Sequence, residues 1–184
     1  PGTNAVSGHA SEIKVPAPAA RAAEILAWVR AHTEPDPHGG GDHGDLYRVT
    51  SLYLDTDQSD VFRRHGSYGR SKYRIRRYDQ SDQVFLERKL RVGSKVSKRR
   101  SAVGMDDLSH LRNGAGGNGW PGDWFHRRLL VRRLHPVCRV AYQRVARMAS
   151  TSEGLLRITM DRDIRAFPLS TPSFVDGTES LQIA

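Results

Sequence analysis

Cysteine is almost absent. Cys138 is the only one in 184 residues, so no intramolecular disulfide can form and a reducing, cytoplasmic setting is the default expectation. Long apolar runs are missing too: none approaches the roughly 20 residues that a membrane helix needs, and the first residues carry no signal-peptide pattern. The eight histidines fall at no metal-ligand spacing; His38 and His43, in a Gly-rich loop, offer at most a weak, adventitious site. There is no internal repeat. Acid is the minority charge, with 20 Asp and Glu against 29 Lys and Arg and a formal net charge of +9. That excess favours a polyanionic partner such as nucleic acid, polyphosphate, a nucleotide or an acidic membrane. A specific nucleic-acid reader would show a recognition helix with clustered basic residues or an aromatic pattern for base stacking, and neither stands out.

What is present suits one domain with a real core. The chain begins at Pro1 rather than Met, so the numbering is expected to start inside a longer product. Residues 1–10, rich in Gly, Ser and Ala, read as a flexible arm, and residues 11–184 as a single domain. The run Ser11 to Val15 reads as a short strand ended by Pro16. Ala19 to His32 reads as a helix, Ala-rich with Ala22, Ile25, Leu26 and Val29 at helical spacing. Pro35 to Gly41 is a loop by its breakers. Strands are expected at 46–55, 71–78, 83–91, 94–103, 137–145 and 155–163, with short helices at 58–65, 106–112 and 123–134. Trp120 and Trp124 flank the start of the last helix and are expected to anchor it; Cys138 reads as a small buried apolar residue.

The strands alternate charge with apolar side chains. Lys72, Arg74 and Arg76 share one face and Tyr73 and Ile75 the other. Glu87, Lys89 and Arg91 oppose Val84, Leu86 and Leu90; Arg157, Thr159 and Asp161 alternate with Leu156, Ile158 and Met160; Glu12 and Lys14 alternate with Ile13 and Val15. A half-buried sheet with its charges facing water gives the same alternation. Here the charged faces hold few Ser, Thr or Gln, and there are helices enough to cover the apolar faces. A closed barrel with helices outside would turn the charged faces inward. Such an interior is costly unless a counter-charged ligand and ordered water fill it.

Six segments in order carry a resemblance: Tyr47 to Thr56, Lys72-Tyr73-Arg74-Ile75-Arg76-Arg77-Tyr78, Phe85-Leu86-Glu87-Arg88-Lys89, Ser97 to Arg100, Val137 to Arg144, and Leu156 to Asp161. Together they resemble VTC-domain proteins (polyphosphate polymerases) of the CYTH, or triphosphate-tunnel, superfamily, over about residues 11–166. The resemblance implies an α+β fold built on an antiparallel eight-stranded β-barrel tunnel with surrounding helices. It implies phosphate ligands at Lys14, Arg74, Arg76, Lys89, Lys98, Arg144 and Arg157, with Arg139 as an alternative to Arg144, because both face inward only if a bulge intervenes. Mn²⁺ or Mg²⁺ would be held by Glu12, Glu87 and, more weakly, Asp161. The chemistry suits these roles: Arg grips phosphate oxygens in pairs, Lys acts as a point charge, and hard cations take carboxylate oxygens.

The implied activity is a metal-dependent phosphotransferase moving the γ-phosphate of ATP onto a polyphosphate chain, with Arg74, Arg76, Lys89 and Arg157 aligning the phosphates. The alternatives are hydrolysis of inorganic triphosphate and polyphosphate binding without turnover. Phosphoryl transfer asks mainly for alignment and charge neutralisation, so no nucleophilic side chain is required. The family's last strand carries a Glu-x-Lys pair that the stretch from Leu169 to Ala184 does not show, Glu179 having no lysine two positions on. Either that strand is missing from this chain or the barrel is incomplete.

Overall fold

The computed structural model describes residues 12–40, 42–93, 95–113, 119–169 and 181–182. The expected arm at 1–10 and the stretch around Glu179 lie outside them. In chain order the elements are α1 (Ala19–His32), β1 (Glu34–Pro35), β2 (Leu46–Asp55), a 3₁₀ turn (Gly66–Arg70), β3 (Ser71–Tyr78), β4 (Gln83–Val92), β5 (Lys95–Gly104), a 3₁₀ turn (Asp106–Ser109), α2 (His110–Asn113), α3 (Asp123–Arg132), β6 (His135–Thr151), β7 (Gly154–Pro168) and β8 (Leu181–Gln182). Among the described residues no helix is long and apolar enough to cross a membrane.

The strands form one antiparallel sheet in the order β5-β4-β3-β2-β6-β7-β8, with β1 paired to β6. The fold is α+β, but the expected closed eight-stranded barrel is a curled, open sheet instead, with flanking helices. Two features account for the opening. Residues Glu12 to Val15 form no strand, and Ile13 and Val15 stand 88% and 78% exposed. Among the described residues, β7 pairs on its outer side with β8 at Arg165 and Ala166 alone, and β5 ends the sheet at the other edge. The curl itself follows from bulges, which bend a strand and raise its twist. The β2–β6 register shifts between Tyr53 and Leu54, and the β6–β7 register between Ala141 and Gln143. In the second, Asp163 is the extra residue, with a left-handed φ of 53°.

One face of the sheet holds the apolar core. Leu52, Leu54, Tyr73, Ile75, Val84, Leu86 and Val103 pack under Phe125 and Leu129 of α3 and under Leu134. α3 is seated as its tryptophan suggests: the Trp124 indole donates to Ser101 Oγ at 2.8 Å. The strand periods place β2 and β3 on their expected residues, whereas β6 and β7 run longer at both ends than their apolar segments suggest. The expected helix at 58–65 is a chain of turns. Ser59 and Arg64 take φ of 57° and 56°, and the buried Asp55 carboxylate accepts from the Thr56, Val61 and Phe62 amides, replacing helical bonds.

α1 buries only Val29, so apolar burial does not hold it. Asp45, with no exposed surface, accepts from Arg30 Nε and Nη2 at 2.9 and 3.0 Å and from Arg147 Nη1 at 3.3 Å. Arg147 also donates to the carbonyls of Arg30 and Thr33 at the helix C-terminus, where unpaired carbonyls and the helix dipole both favour a cation. Burial opposes ionisation of Asp45, but Arg30 and Arg147 outweigh it and hold its pKa below the ordinary 3.8. A depressed carboxylate gives its full stabilisation above the ordinary pKa and loses it as pH falls through the depressed one. Asp45→Asn should therefore cost about 3 kcal/mol at neutral pH, measured by urea denaturation, and raise amide exchange across Ala19–His32. In the wild type the same loosening should appear only below about pH 4.

Candidate phosphate-binding face

Opposite the apolar core, the sheet turns a polar face inward. Cross-strand pairing fixes its members: Ser51 faces Arg76 and Tyr53 faces Arg74, Arg74 faces Glu87, Glu87 faces Arg100, Tyr47 faces Arg144, and Arg144 faces Asp161. Two contacts show that the face is concave, because each spans an intervening strand. Arg76 on β3 reaches across β2 to the Tyr142 hydroxyl on β6 at 3.2 Å. Arg157 on β7 reaches across β6 to the Tyr47 hydroxyl on β2 at 2.9 Å.

Each arginine here has a definite partner. Arg76, almost fully buried, donates through Nε to Ser51 Oγ at 3.0 Å and so is held by neutral oxygens. Arg74 Nε lies 2.5 Å from Glu87, and Arg100 Nε lies 3.2 Å from the other oxygen of the same carboxylate. Arg144 grips Asp161 in a two-point fork at 2.6 and 2.7 Å. Arg157 donates to Asp36 at 2.7 Å. Burial opposes ionisation of Asp36, yet the His38 amide and Arg157 hold its pKa down. Burial pushes the Tyr142 hydroxyl up despite Arg76 and Arg144, keeping it protonated.

The lysines are arranged differently. Lys72 lies directly opposite Lys89, and Lys89 directly opposite Lys98, giving three lysines in register across β3, β4 and β5. Like charges placed opposite one another destabilise a sheet. Glu12 answers them: Lys89 Nζ donates to it at 3.1 Å and Lys14 lies 3.7 Å from its other oxygen. The Lys89 hydrogen bond, with Lys14 and Lys98 adding charge, holds the Glu12 pKa down.

The face thus brings together Arg74, Arg76, Lys89, Arg144, Arg157, Glu87 and Asp161, with Lys98 in register and Glu12 and Lys14 leaning in from an exposed segment. Arg139 lies on the other face, opposite Leu52 and over the Phe167 ring at 4.1 Å, almost fully buried. A bulge does occur beside it, but the extra residue belongs to β7. Between Arg139 and Arg144 the parity of β6 is therefore unbroken, and of the two only Arg144 faces inward. The three carboxylates expected to hold a metal are not gathered: Glu12 sits at Lys89, Glu87 between Arg74 and Arg100, and Asp161 on Arg144. Among the described residues no three His, Cys, Asp or Glu side chains converge.

Sequence reading passed over Arg100, Asp36, Tyr47 and Tyr142. Arg100 follows Lys98 at period two and could have been found that way. Asp36 lies 121 positions from Arg157 in a Pro-flanked loop, and no local pattern joins them.

A model of the VTC domain matches residues 9–176. No curated protein is significantly similar in sequence. Among solved structures, a candidate adenylate cyclase from Bacillus halodurans is 16% identical over 71% of this chain and 69% of its own, with a TM-score of 0.45. A candidate adenylyl cyclase from Hippeastrum, described as having a dominant triphosphatase activity, is 14% identical over 85% of this chain and 77% of its own, with a TM-score of 0.47. Neither likeness is close enough to bear on chemistry.

Glu87 neutralises two guanidiniums that an anion could otherwise hold. Glu87→Gln should therefore tighten binding of inorganic tripolyphosphate in EDTA, by about tenfold at low salt, read by calorimetry.

Proposed function

Because the chain belongs to the VTC domain family of the triphosphate-tunnel superfamily, we propose that its concave face binds the phosphates of a linear triphosphate or polyphosphate. The observation that carries this reading is the in-register Lys72–Lys89–Lys98 row beside the Arg74–Glu87–Arg100 cluster. Such a row is unfavourable alone and favourable once a polyanion lies across it. Arg74, Arg76, Arg144 and Arg157 supply planar forks from β3, β6 and β7, and the lysines supply point charges further out. A chain of phosphates offers many equivalent oxygens, which suits a floor of cations from several strands better than one deep pocket.

ATP, tripolyphosphate and longer polyphosphate all present this chemistry. The reaction we propose is hydrolysis of the triphosphate, with the same arginines aligning the chain for attack by water. Extension of polyphosphate from ATP is the second reading, favoured by the open sheet, along which a long product could lie. Mn²⁺ or Mg²⁺ would have to arrive with the phosphates, which supply the oxygen ligands that the separated carboxylates do not.

Calorimetry with tripolyphosphate in EDTA tests the binding. Arg74→Ala combined with Arg76→Lys should weaken it by about 3 kcal/mol, on the order of a hundredfold, while circular dichroism stays unchanged. Absence of binding by the wild type, or displacement of tripolyphosphate by duplex DNA at physiological salt, would overturn the reading. Incubation with Mn²⁺ then separates the reactions. Orthophosphate released from tripolyphosphate supports hydrolysis, and stainable polyphosphate made from ATP assigns chain extension instead.

A further inference from the structure

The outer side of α3 is unusual for a helix packed on a sheet. Its inner side buries Phe125 and Leu129, yet Leu130 and Val131 stand 64% and 78% exposed. Arg127, Arg128 and Arg133 are exposed around them. A second large apolar side chain is displayed nearby, on the loop after β2, where Phe62 is 84% exposed between Val61 and the exposed Arg63 and Arg64.

That loop is not loosely attached. The Val61 and Phe62 amides donate to the buried Asp55 carboxylate at 2.8 and 2.9 Å. Asp55 pairs with His135, three residues beyond the end of α3. The Tyr68 hydroxyl lies 3.3 Å from the Arg132 carbonyl, and its ring sits under the Arg132 guanidinium at 4.0 Å. Loop and helix terminus therefore flank the same end of the β2–β6 pair. Residues 56–68 and 123–135 contain six arginines, no lysine and three aspartates. All three aspartates are engaged, Asp57 by His135, Asp60 by Thr56 and His65 and Asp123 by Arg127.

We propose that this surface docks the protein on an anionic membrane, with Leu130, Val131 and Phe62 entering the boundary between headgroups and acyl chains and the arginines meeting lipid phosphates. Exposed apolar side chains ringed by charge of one sign match both layers of such a surface, and arginine grips phosphate oxygens in pairs. Nucleic acid would satisfy the arginines and leave the three apolar side chains without a partner. The surface lies on the α3 side of the sheet, away from the concave face, so it stands or falls independently of phosphate binding there.

The test is co-sedimentation with vesicles of phosphatidylcholine alone and of phosphatidylcholine with phosphatidylserine, with saturating tripolyphosphate present to occupy the concave face. The protein should pellet with the phosphatidylserine vesicles and not with the neutral ones. Leu130→Glu/Val131→Glu should reduce binding at least about tenfold, with tripolyphosphate affinity and circular dichroism unchanged. The proposal is overturned by failure to pellet with either vesicle, by equal pelleting with both, or by binding that survives the double substitution. It is overturned equally if lipid-free sedimentation finds a wild-type dimer that the variant dissociates, or if duplex DNA displaces the wild type from vesicles and binds the variant undiminished.

Discussion

Arginines and lysines on neighbouring strands of one sheet face are brought to within about a strand spacing of each other, 4.7–4.9 Å between backbones. At such distances, in a partly desolvated cleft, like charges repel strongly. The inner face of this sheet is organised around that repulsion. Glu87 is shared by Arg74 and Arg100, Asp161 is gripped by Arg144, and Asp36 is brought in from a loop to meet Arg157. Where a carboxylate is lacking, neutral oxygens serve: Arg76 rests on Ser51 and Tyr142. Among the described residues, the lysine row at the outer edge is left with a single exposed counter-ion, Glu12. The face is therefore tightest at its centre and most open to an incoming anion at its rim.

The same need for counter-charge governs how the helices are attached. α3 is held by apolar packing, through Phe125 and Leu129 on the sheet. α1 has almost no such face and is fastened by Asp45 between Arg30 and Arg147. Burying that aspartate without its guanidiniums would be strongly unfavourable, so the position of α1 is tied to the ionisation of one carboxyl group. The loop carrying Asp36 is pinned beside it, since the Asp36 amide donates to Ala146 and the Ala146 amide to Asp45. Through this path α1 shares its anchorage with the carboxylate that faces Arg157.

Much of this was legible in the sequence wherever it rested on period two. β2 and β3 fall on their expected residues, and the charged members of β3, β4 and β7 share a face as their alternation implies. The failures have physical causes. A closed barrel needs edge strands that pair along their length, and Glu12 to Val15 carries the alternation of a strand without forming one. Alternation records which side a residue would take, not whether a neighbour is there to pair with it. The helix expected at 58–65 was lost to a carboxylate three positions upstream, Asp55, whose bonds to three amides outweigh local propensity. Outside those failures, Glu87 and Asp161 share the face that their alternation implies, each beside its own cations.

The bulge at Asp163 sets the phase of β7. Across it β7 advances three residues while β6 advances two. Because side chains alternate at every step, the same chain paired regularly through this point would set Asp163 opposite Gln143 and turn Arg157 and Asp161 to the outside, with Leu156 and Ile158 facing in. Insertions and deletions in β7 are thus not interchangeable with those in the loops. Loss of Asp163 itself would only heal the bulge, whereas a gap of one between the bulge and Asp161 inverts the strand beyond it and removes two charged residues from the floor at a stroke.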